Sequence, residues 1–169
     1  MIVVTGGAGF IGSNLVAALE ERGETEILVC DRLGSDDRWR NLAQRELADL
    51  IKPEQLFDFL NANADAVDII FHMGAISDTT ATDAELVMEN NFGFTLALWE
   101  WSAAHNVRLV YASSAATYGD GENGYDDDSS VSALAKMRPL NPYAWSKHLL
   151  DRRVSRLLES GVNAPTQSV

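Results

Sequence analysis

Glycines repeated at every third position directly after a short apolar segment constrain the fold of this chain more than any other feature. Met1–Thr5 is apolar and β-branched, as expected of a buried strand. Gly6, Gly9 and Gly12 follow it, and Ile11–Glu21 then carries apolar residues at helical spacing. A buried strand that passes through a glycine turn into a helix is typical of parallel sheets with helical connections.

The rest of the chain continues this alternation. Apolar runs predict further strands at 27–30, 46–50, 67–72 and 108–113, and helices are predicted at 53–61, 83–105 and 143–158. Asn141 suits an N-cap, and Pro53 and Pro142 suit first-turn positions. Residues 32–45 and 118–141 show no period and are predicted to be irregular. The sequence therefore predicts an α/β fold with a doubly wound parallel sheet covered by helices on both faces.

Composition and charge exclude several classes of protein. A length of 169 residues fits one domain, and 46% apolar residues suit a globular protein. A net charge of −12 repels phosphate backbones and anionic lipid, so no nucleic-acid or membrane partner is expected. We find no signal peptide, and a single cysteine, Cys30, excludes an internal disulfide and favours the cytoplasm. The three histidines share no spacing with acids or Cys30, so no metal site is predicted.

The glycine spacing also predicts a dinucleotide site. The three glycines would let a pyrophosphate approach the backbone, and the amides of the following helix would face its oxygens. The second predicted strand ends at Asp31, nineteen residues after Gly12, where an acid can bond ribose hydroxyls. Asp31 favours NAD because a carboxylate repels a 2′-phosphate, whereas Arg32, Arg38 and Arg40 favour NADP because arginine binds phosphate in a bidentate way. The residues alone leave this choice open.

A second group of residues has the pattern of a proton-transfer site. Tyr143 and Lys147 lie four residues apart on a predicted helix and therefore share one face. A lysine ammonium beside a phenol stabilises the phenolate, so such a pair can exchange a proton with a substrate hydroxyl. Ser114 follows the predicted strand at 108–113, and ligands of doubly wound sheets lie beyond the carboxyl ends of the strands. We therefore expect Ser114 on the same side as the glycine loop, where it could bond a substrate oxygen.

Together these motifs resemble the extended short-chain dehydrogenase/reductases, the NAD-dependent epimerase/dehydratase family, whose members modify nucleotide sugars. The resemblance covers the whole chain in order and implies a Rossmann-like fold, with Ser114, Tyr143 and Lys147 as catalytic residues. It places Asp49 near the adenine, Gly74 and Ala75 near the nicotinamide ribose, and Asn90 in support of the cofactor. The candidate cofactor residues are Gly6, Gly9, Phe10, Ile11, Gly12, Asp31, Arg32, Arg38, Asp49, Lys52, Gly74, Ala75, Ser77, Asn90, Tyr143 and Lys147.

The resemblance is strongest to the epimerases that act at C6 of an ADP-linked heptose for lipopolysaccharide synthesis. The stretches 71–80 and 111–119 carry it. The family's 4,6-dehydratases use an acid pair after the strand-end serine, and no acid directly follows Ser114 here. In the heptose group, a basic residue at the position of Arg38 contacts the 2′-phosphate, which implies NADP as the cofactor. The implied reaction is a transient oxidation in which the same hydride returns to the other face of the sugar.

The resemblance also implies that part of the family's pattern is missing from these 169 residues. The family's second catalytic lysine and its substrate-binding domain would follow position 169, after a sixth strand that starts near the last residue. We therefore expect a truncated dinucleotide-binding domain over 1–169 with little activity alone, a nucleotide-sugar substrate, and a homo-oligomer. Two alternatives stay open: another nucleotide-sugar epimerase of the 4-epimerase type, and a non-catalytic dinucleotide sensor.

Overall fold

A parallel sheet lies at the centre of the first of two units into which the chain divides. The structure is a computed structural model that describes residues 1–162 and the backbone of residues 166–168. The first unit comprises Met1–Gly74 and Val107–Tyr111. Its strands, in the sheet order β3-β2-β1-β4-β5, are β1 (Ile2–Thr5), β2 (Ile27–Cys30), β3 (Asp49–Ile51), β4 (Ile69–His72) and β5 (Arg108–Tyr111). The predicted doubly wound parallel sheet is thus confirmed.

The strand register brings the carboxyl ends of the central strands to one edge of the sheet. Thr5 pairs with Cys30 on one side and with His72 on the other, and His72 pairs with Tyr111. All residues of β1 and β2 are buried, as expected where apolar strands are covered on both faces. Helix α1 (Phe10–Glu21) and a short helix, α2 (Leu56–Ala62), complete the regular elements of this unit, together with 3-10 turns. The core cluster here contains Ile2, Val4, Ala8, Val16, Leu19, Ile27, Val29 and Leu42.

The second unit, 75–106 with 112–169, is mainly helical. Its elements are α3 (Ala84–Val87), a π-helical segment (Met88–Gly93), α4 (Phe94–His105), a 3-10 turn (Ala115–Tyr118), α5 (Val131–Leu134), α6 (Pro142–Glu159) and the short strand β6 (Thr166–Ser168). As predicted, α6 begins with Pro142 and is capped by Asn141, whose Oδ1 accepts a hydrogen bond from the Ala144 amide at 2.8 Å. The helix then packs against the π-helical segment.

Several predicted boundaries are wrong. The third strand is at Asp49–Ile51 instead of 46–50, and only Ile51 in it is buried, so its apolar signal was weak. The helix predicted at 53–61 opens with a 3-10 turn before α2, and the strand predicted at 108–113 ends at Tyr111. The helix predicted at 83–105 exists, but its π-helical segment interrupts the predicted period. Within the described residues, no helix is long and apolar enough to span a membrane.

Candidate functional site

The glycine turn after β1 is packed so tightly that two of its positions admit no side chain. Gly6 has φ +68°, and a Cβ atom there would lie 2.6 Å from the Gly74 amide nitrogen. A Cβ atom on Gly12 would lie 2.2 Å from the Gly6 carbonyl oxygen. Real Cβ atoms do not approach backbone atoms this closely, so glycine is required at both positions. The turn therefore brings the start of α1 directly against the end of β1.

The first turn of α1 has the properties of an anion site. Its N-cap residue is Gly9, no side chain in the described part of the chain caps it, and its first turn contains no acidic residue. The first backbone amides of a helix have no intrahelical partner, and the helix dipole favours a negative group there. Phe10 and Ile11 lie beside these amides and are 85% and 63% exposed. Open amides beside exposed apolar side chains fit the pyrophosphate and the flat rings of a dinucleotide.

Asp31 is held against the glycine turn by backbone hydrogen bonds. Its Oδ2 accepts from the Ala8 amide at 2.8 Å, and its Oδ1 accepts from the Arg32 amide at 2.7 Å. The Asn41 side chain donates to the Ala8 carbonyl at 2.8 Å and secures the same loop. The acid after β2 is therefore fixed beside the turn that the sequence predicts to hold phosphates. This position suits bonds to ribose hydroxyls.

Arg32 and Arg38, two of the three arginines predicted to favour NADP, are paired with neighbouring acids. Arg38 donates to both carboxylate oxygens of Asp36, from Nε at 2.9 Å and from Nη2 at 2.8 Å. These hydrogen bonds lower the pKa of Asp36 to about 2. Arg32 forms an ion pair with Glu54. Both pairs are exposed to solvent, where such pairs contribute little to stability, so a phosphate could replace either carboxylate.

The remaining candidates of the first unit differ in how firmly they are held. The Gly74 amide donates to Thr5 Oγ1 at 3.2 Å, and Thr5 Oγ1 also shares a 2.6 Å hydrogen bond with His72 Nδ1. The loop that begins after β4 is therefore tied to the end of β1. Asp49 and Lys52 are exposed on and just after β3. No group of His, Cys, Asp or Glu among the described residues is arranged to hold a metal ion.

Lys147 is the most constrained candidate of the second unit. Its side chain is buried, and its Nζ donates to the Ala112 carbonyl at 2.9 Å. Burial lowers the pKa of Lys147 to about 8, and the nearby Asp151 carboxylate opposes this shift. A buried lysine with a lowered pKa is a common feature of functional sites.

Of the other two predicted catalytic residues, Tyr143 lies on the same helix as Lys147, and Ser114 follows the segment to which Lys147 is hydrogen-bonded. Tyr143 is one helical turn before it on α6 and is half-buried. Ser114 lies two residues after Ala112, and its Oγ accepts a hydrogen bond from the Ala116 amide at 3.1 Å. That bond occupies Oγ as an acceptor and leaves the hydroxyl proton of Ser114 able to donate to a substrate oxygen.

Sequence reasoning missed Asn91, the neighbour of the candidate Asn90. Asn91 is fully buried: its Oδ1 accepts from the Ile76 amide at 2.8 Å, and its Nδ2 donates to the Ile76 carbonyl at 3.0 Å and to Ser146 Oγ at 3.1 Å. It thus ties the loop that contains Ala75 to α6. Asn90 is half-buried and donates to Asn91 Oδ1 at 3.2 Å. The π-helical segment decides which asparagine faces inward, and a regular helical period does not reveal it.

The predicted site residues are divided between the two units. Those of the first unit are Gly6, Gly9, Phe10, Ile11, Gly12, Asp31, Arg32, Arg38, Asp49, Lys52 and Gly74. Those of the second unit are Ala75, Ser77, Asn90, Ser114, Tyr143 and Lys147. The first set has the features of a nucleotide-binding surface, and the second has those of a proton-transfer site.

A comparison with known families identifies the kind of protein to which these features belong. Residues 2–165 match the NAD dependent epimerase/dehydratase family. The chain belongs to this family. The match confirms the resemblance inferred from the glycine turn, the strand-end serine and the tyrosine–lysine pair. It also supports a nicotinamide dinucleotide as the cofactor class.

This chain is also similar to individual members of the family in sequence and in structure. The ADP-L-glycero-D-manno-heptose-6-epimerase of Fusobacterium nucleatum is 50% identical over 153 residues, which are 89% of this chain and 46% of that protein. The crystal structure of the Helicobacter pylori ADP-L-glycero-D-manno-heptose-6-epimerase is 30% identical, with a TM-score of 0.77 over 99% of this chain and 53% of that one. A Methanobrevibacter ruminantium UDP-N-acetylglucosamine 4-epimerase, in complex with UDP-N-acetylmuramic acid, is 27% identical, with a TM-score of 0.76 over 94% of this chain and 50% of that one. The chain thus spans about half the length of these relatives.

Proposed function

We propose that this chain is the dinucleotide-binding and proton-transferring part of an epimerase that inverts C6 of an ADP-linked heptose. The observation that carries the proposal is the buried Lys147, whose ammonium is bonded to the backbone two residues before Ser114 and lies one helical turn after Tyr143. The Fusobacterium nucleatum relative, at 50% identity, supports the choice of substrate. The match covers 46% of that relative, so the complete reaction is proposed for a protein of which this chain is part.

Each residue of the tyrosine–lysine–serine set has a distinct role in this reaction. Tyr143 removes the proton of the sugar hydroxyl and returns it, and the Lys147 ammonium stabilises the tyrosinate while it exists. Ser114 donates its free hydroxyl proton to the carbonyl oxygen of the oxidised sugar. A bound nicotinamide dinucleotide would supply the reversible removal of hydride that inversion requires.

NADP is the proposed cofactor. The planar guanidinium of Arg38 donates hydrogen bonds from two nitrogens to the two carboxylate oxygens of Asp36. A ribose 2′-phosphate offers a similar acceptor geometry and more negative charge, so it should displace Asp36 from Arg38. NAD would lack this contact and would rely on Asp31.

A second candidate function is epimerisation of a UDP-sugar at C4. The similarity to the Methanobrevibacter ruminantium 4-epimerase favours it, because the two structures agree over 94% of this chain. A non-catalytic dinucleotide sensor is a weaker candidate, since a sensor needs neither Tyr143 nor a buried Lys147.

Turnover assays distinguish these functions. We expect the chain alone to convert ADP-D-glycero-D-manno-heptose slowly or not at all. A chimera that joins it to the remainder of the Fusobacterium nucleatum relative should convert this sugar, and Tyr143→Phe should abolish turnover in a chimera that still binds dinucleotide. Turnover of UDP-sugars alone would favour the 4-epimerase. A chimera that binds dinucleotide but turns over neither sugar would favour the sensor.

A further inference from the structure

Two neighbouring contacts hold the segment Ala112–Ser114 to helix α6. Lys147 Nζ donates to the Ala112 carbonyl, and Ser113 Oγ donates to Oδ2 of Asp151. Lys147 and Asp151 are four residues apart, so they lie on the same face of α6, one turn from each other. The proposed function gives roles to Lys147 and Ser114 but none to Asp151.

We propose that Asp151 is a positioning residue, whose carboxylate clamps Ser113 to α6 and places a negative charge one helical turn from the Lys147 ammonium. This inference rests on the proposed function, because it assigns Asp151 to the residues that move the substrate proton. The Ser113–Asp151 hydrogen bond lies between the Ala112 carbonyl, which accepts from Lys147, and Ser114, whose hydroxyl the proposed function assigns to the substrate oxygen. The charge favours the protonated form of Lys147 against the effect of burial.

Burial and the Asp151 carboxylate have opposite effects on the pKa of Lys147. Burial lowers the pKa of Lys147 to about 8, and among the described residues Asp151 is the charged group that raises it. Helix α3 and the π-helical segment both pack against α6. Their acidic residues, Glu85 and Glu89, are exposed. The 3-10 turn contributes Tyr118, whose pKa is raised by burial and by neighbouring acids that include Asp151. Removal of the Asp151 charge should therefore act directly on Lys147.

Two substitutions separate the charge from the clamp. Asp151→Asn removes the charge but keeps an oxygen that can accept the Ser113 hydrogen bond, whereas Ser113→Ala removes the clamp and keeps the charge. Glu159→Gln is the matched control, because it removes an exposed acid from the same helix three turns away from Lys147. Asp151→Glu keeps the charge and serves as the rescue variant.

The experiment is an NMR titration of the chain labelled with ¹³Cε-lysine, which contains only three lysines, Lys52, Lys136 and Lys147. In Asp151→Asn, the Lys147 midpoint should fall by roughly one pH unit. It should stay near the unmodified value in Asp151→Glu and Glu159→Gln. In Ser113→Ala, the Ala116 amide that bonds Ser114 Oγ should exchange with solvent roughly fivefold faster.

Each outcome decides the proposal. An unchanged Lys147 midpoint in Asp151→Asn overturns the electrostatic part, and unchanged Ala116 exchange in Ser113→Ala overturns the clamp. If Asp151→Asn does not fold, a fall of the midpoint in Asp151→Glu as large as one unit overturns the proposal instead. The titration needs neither cofactor nor turnover, so failure of the proposed function would be seen separately, as the absence of dinucleotide binding.

Discussion

The substitution Gly12→Ala tests the glycine turn most sharply. The added Cβ atom would lie 2.2 Å from the Gly6 carbonyl oxygen and 2.8 Å from the Gly6 carbonyl carbon and the Gly7 Cα. Ordinary contacts begin at 3.4 Å, so the backbone of the turn must move by about 1 Å or more. A displacement of this size misaligns the open amides of α1 with a bound pyrophosphate.

The expected change in the free energy of unfolding of Gly12→Ala is the sum of two opposing contributions. Overpacking against backbone atoms costs about 1–3 kcal/mol, while alanine gains about 1 kcal/mol over glycine inside a helix. The net loss of unfolding free energy should therefore stay near or below about 2 kcal/mol. Dinucleotide affinity should fall at least tenfold, about 1.4 kcal/mol, because the binding groups themselves are displaced.

The assay compares three glycine-to-alanine variants by NADPH fluorescence titration and thermal unfolding. A Cβ atom on Gly9 would lie 3.2 Å from the Gly6 carbonyl oxygen, and one on Gly93 would lie 3.8 Å from the Met88 carbonyl oxygen, an ordinary contact distance. Affinity should fall most in Gly12→Ala, less in Gly9→Ala, and not at all in Gly93→Ala, the control. Wild-type affinity in Gly12→Ala, or a larger loss in Gly9→Ala, would refute the reasoning.

Three further predictions follow from other parts of the site. Arg38→Ala should weaken NADPH binding at least tenfold and leave NADH binding unchanged in calorimetric titrations, and equal effects on both cofactors would count against the Arg38 assignment. Asn91→Ala should cost about 2–4 kcal/mol in chemical unfolding because it leaves buried partners unpaired, whereas Asn90→Ala should cost under about 1 kcal/mol. Folding lowers the pKa of Lys147 from 10.5, the ordinary lysine value, to about 8. The buried ammonium therefore reduces the unfolding free energy most below pH 8, and this loss is recovered as the pH rises toward 10.5. The unfolding free energy of the wild type relative to Lys147→Met should therefore rise across this window by on the order of 3 kcal/mol, and a flat difference would contradict a depressed pKa.

Local sequence patterns predicted the sheet and the carboxyl ends of β1, β2 and β4 because these strands are largely apolar. Met1–Thr5 and 27–30 could hardly form anything except buried strands, and both do. The third strand was misplaced by up to three residues because Asp49 and Leu50 are exposed and carry little apolar signal. Its position is set by pairing with β2, which no local pattern contains.

The candidate site also contains residues that the sequence predicts and residues that it does not. The requirement for glycine at positions 6 and 12 could be read from their spacing, and the structure gives the reason in the short distances to Gly74 and to Gly6 itself. Asn91 could not be identified, because the π-helical segment changes which side chain faces inward. Asp151 was also missed, since its partner Ser113 is 38 residues earlier in the chain.

The central claim is that the chain binds a nicotinamide dinucleotide at the glycine turn. Isothermal titration calorimetry of the 169-residue chain with NADPH and NADH tests it most directly. One equivalent of cofactor should bind, with NADPH tighter than NADH, and Gly12→Ala should weaken both. A chain that is folded by circular dichroism but binds neither dinucleotide would contradict the claim.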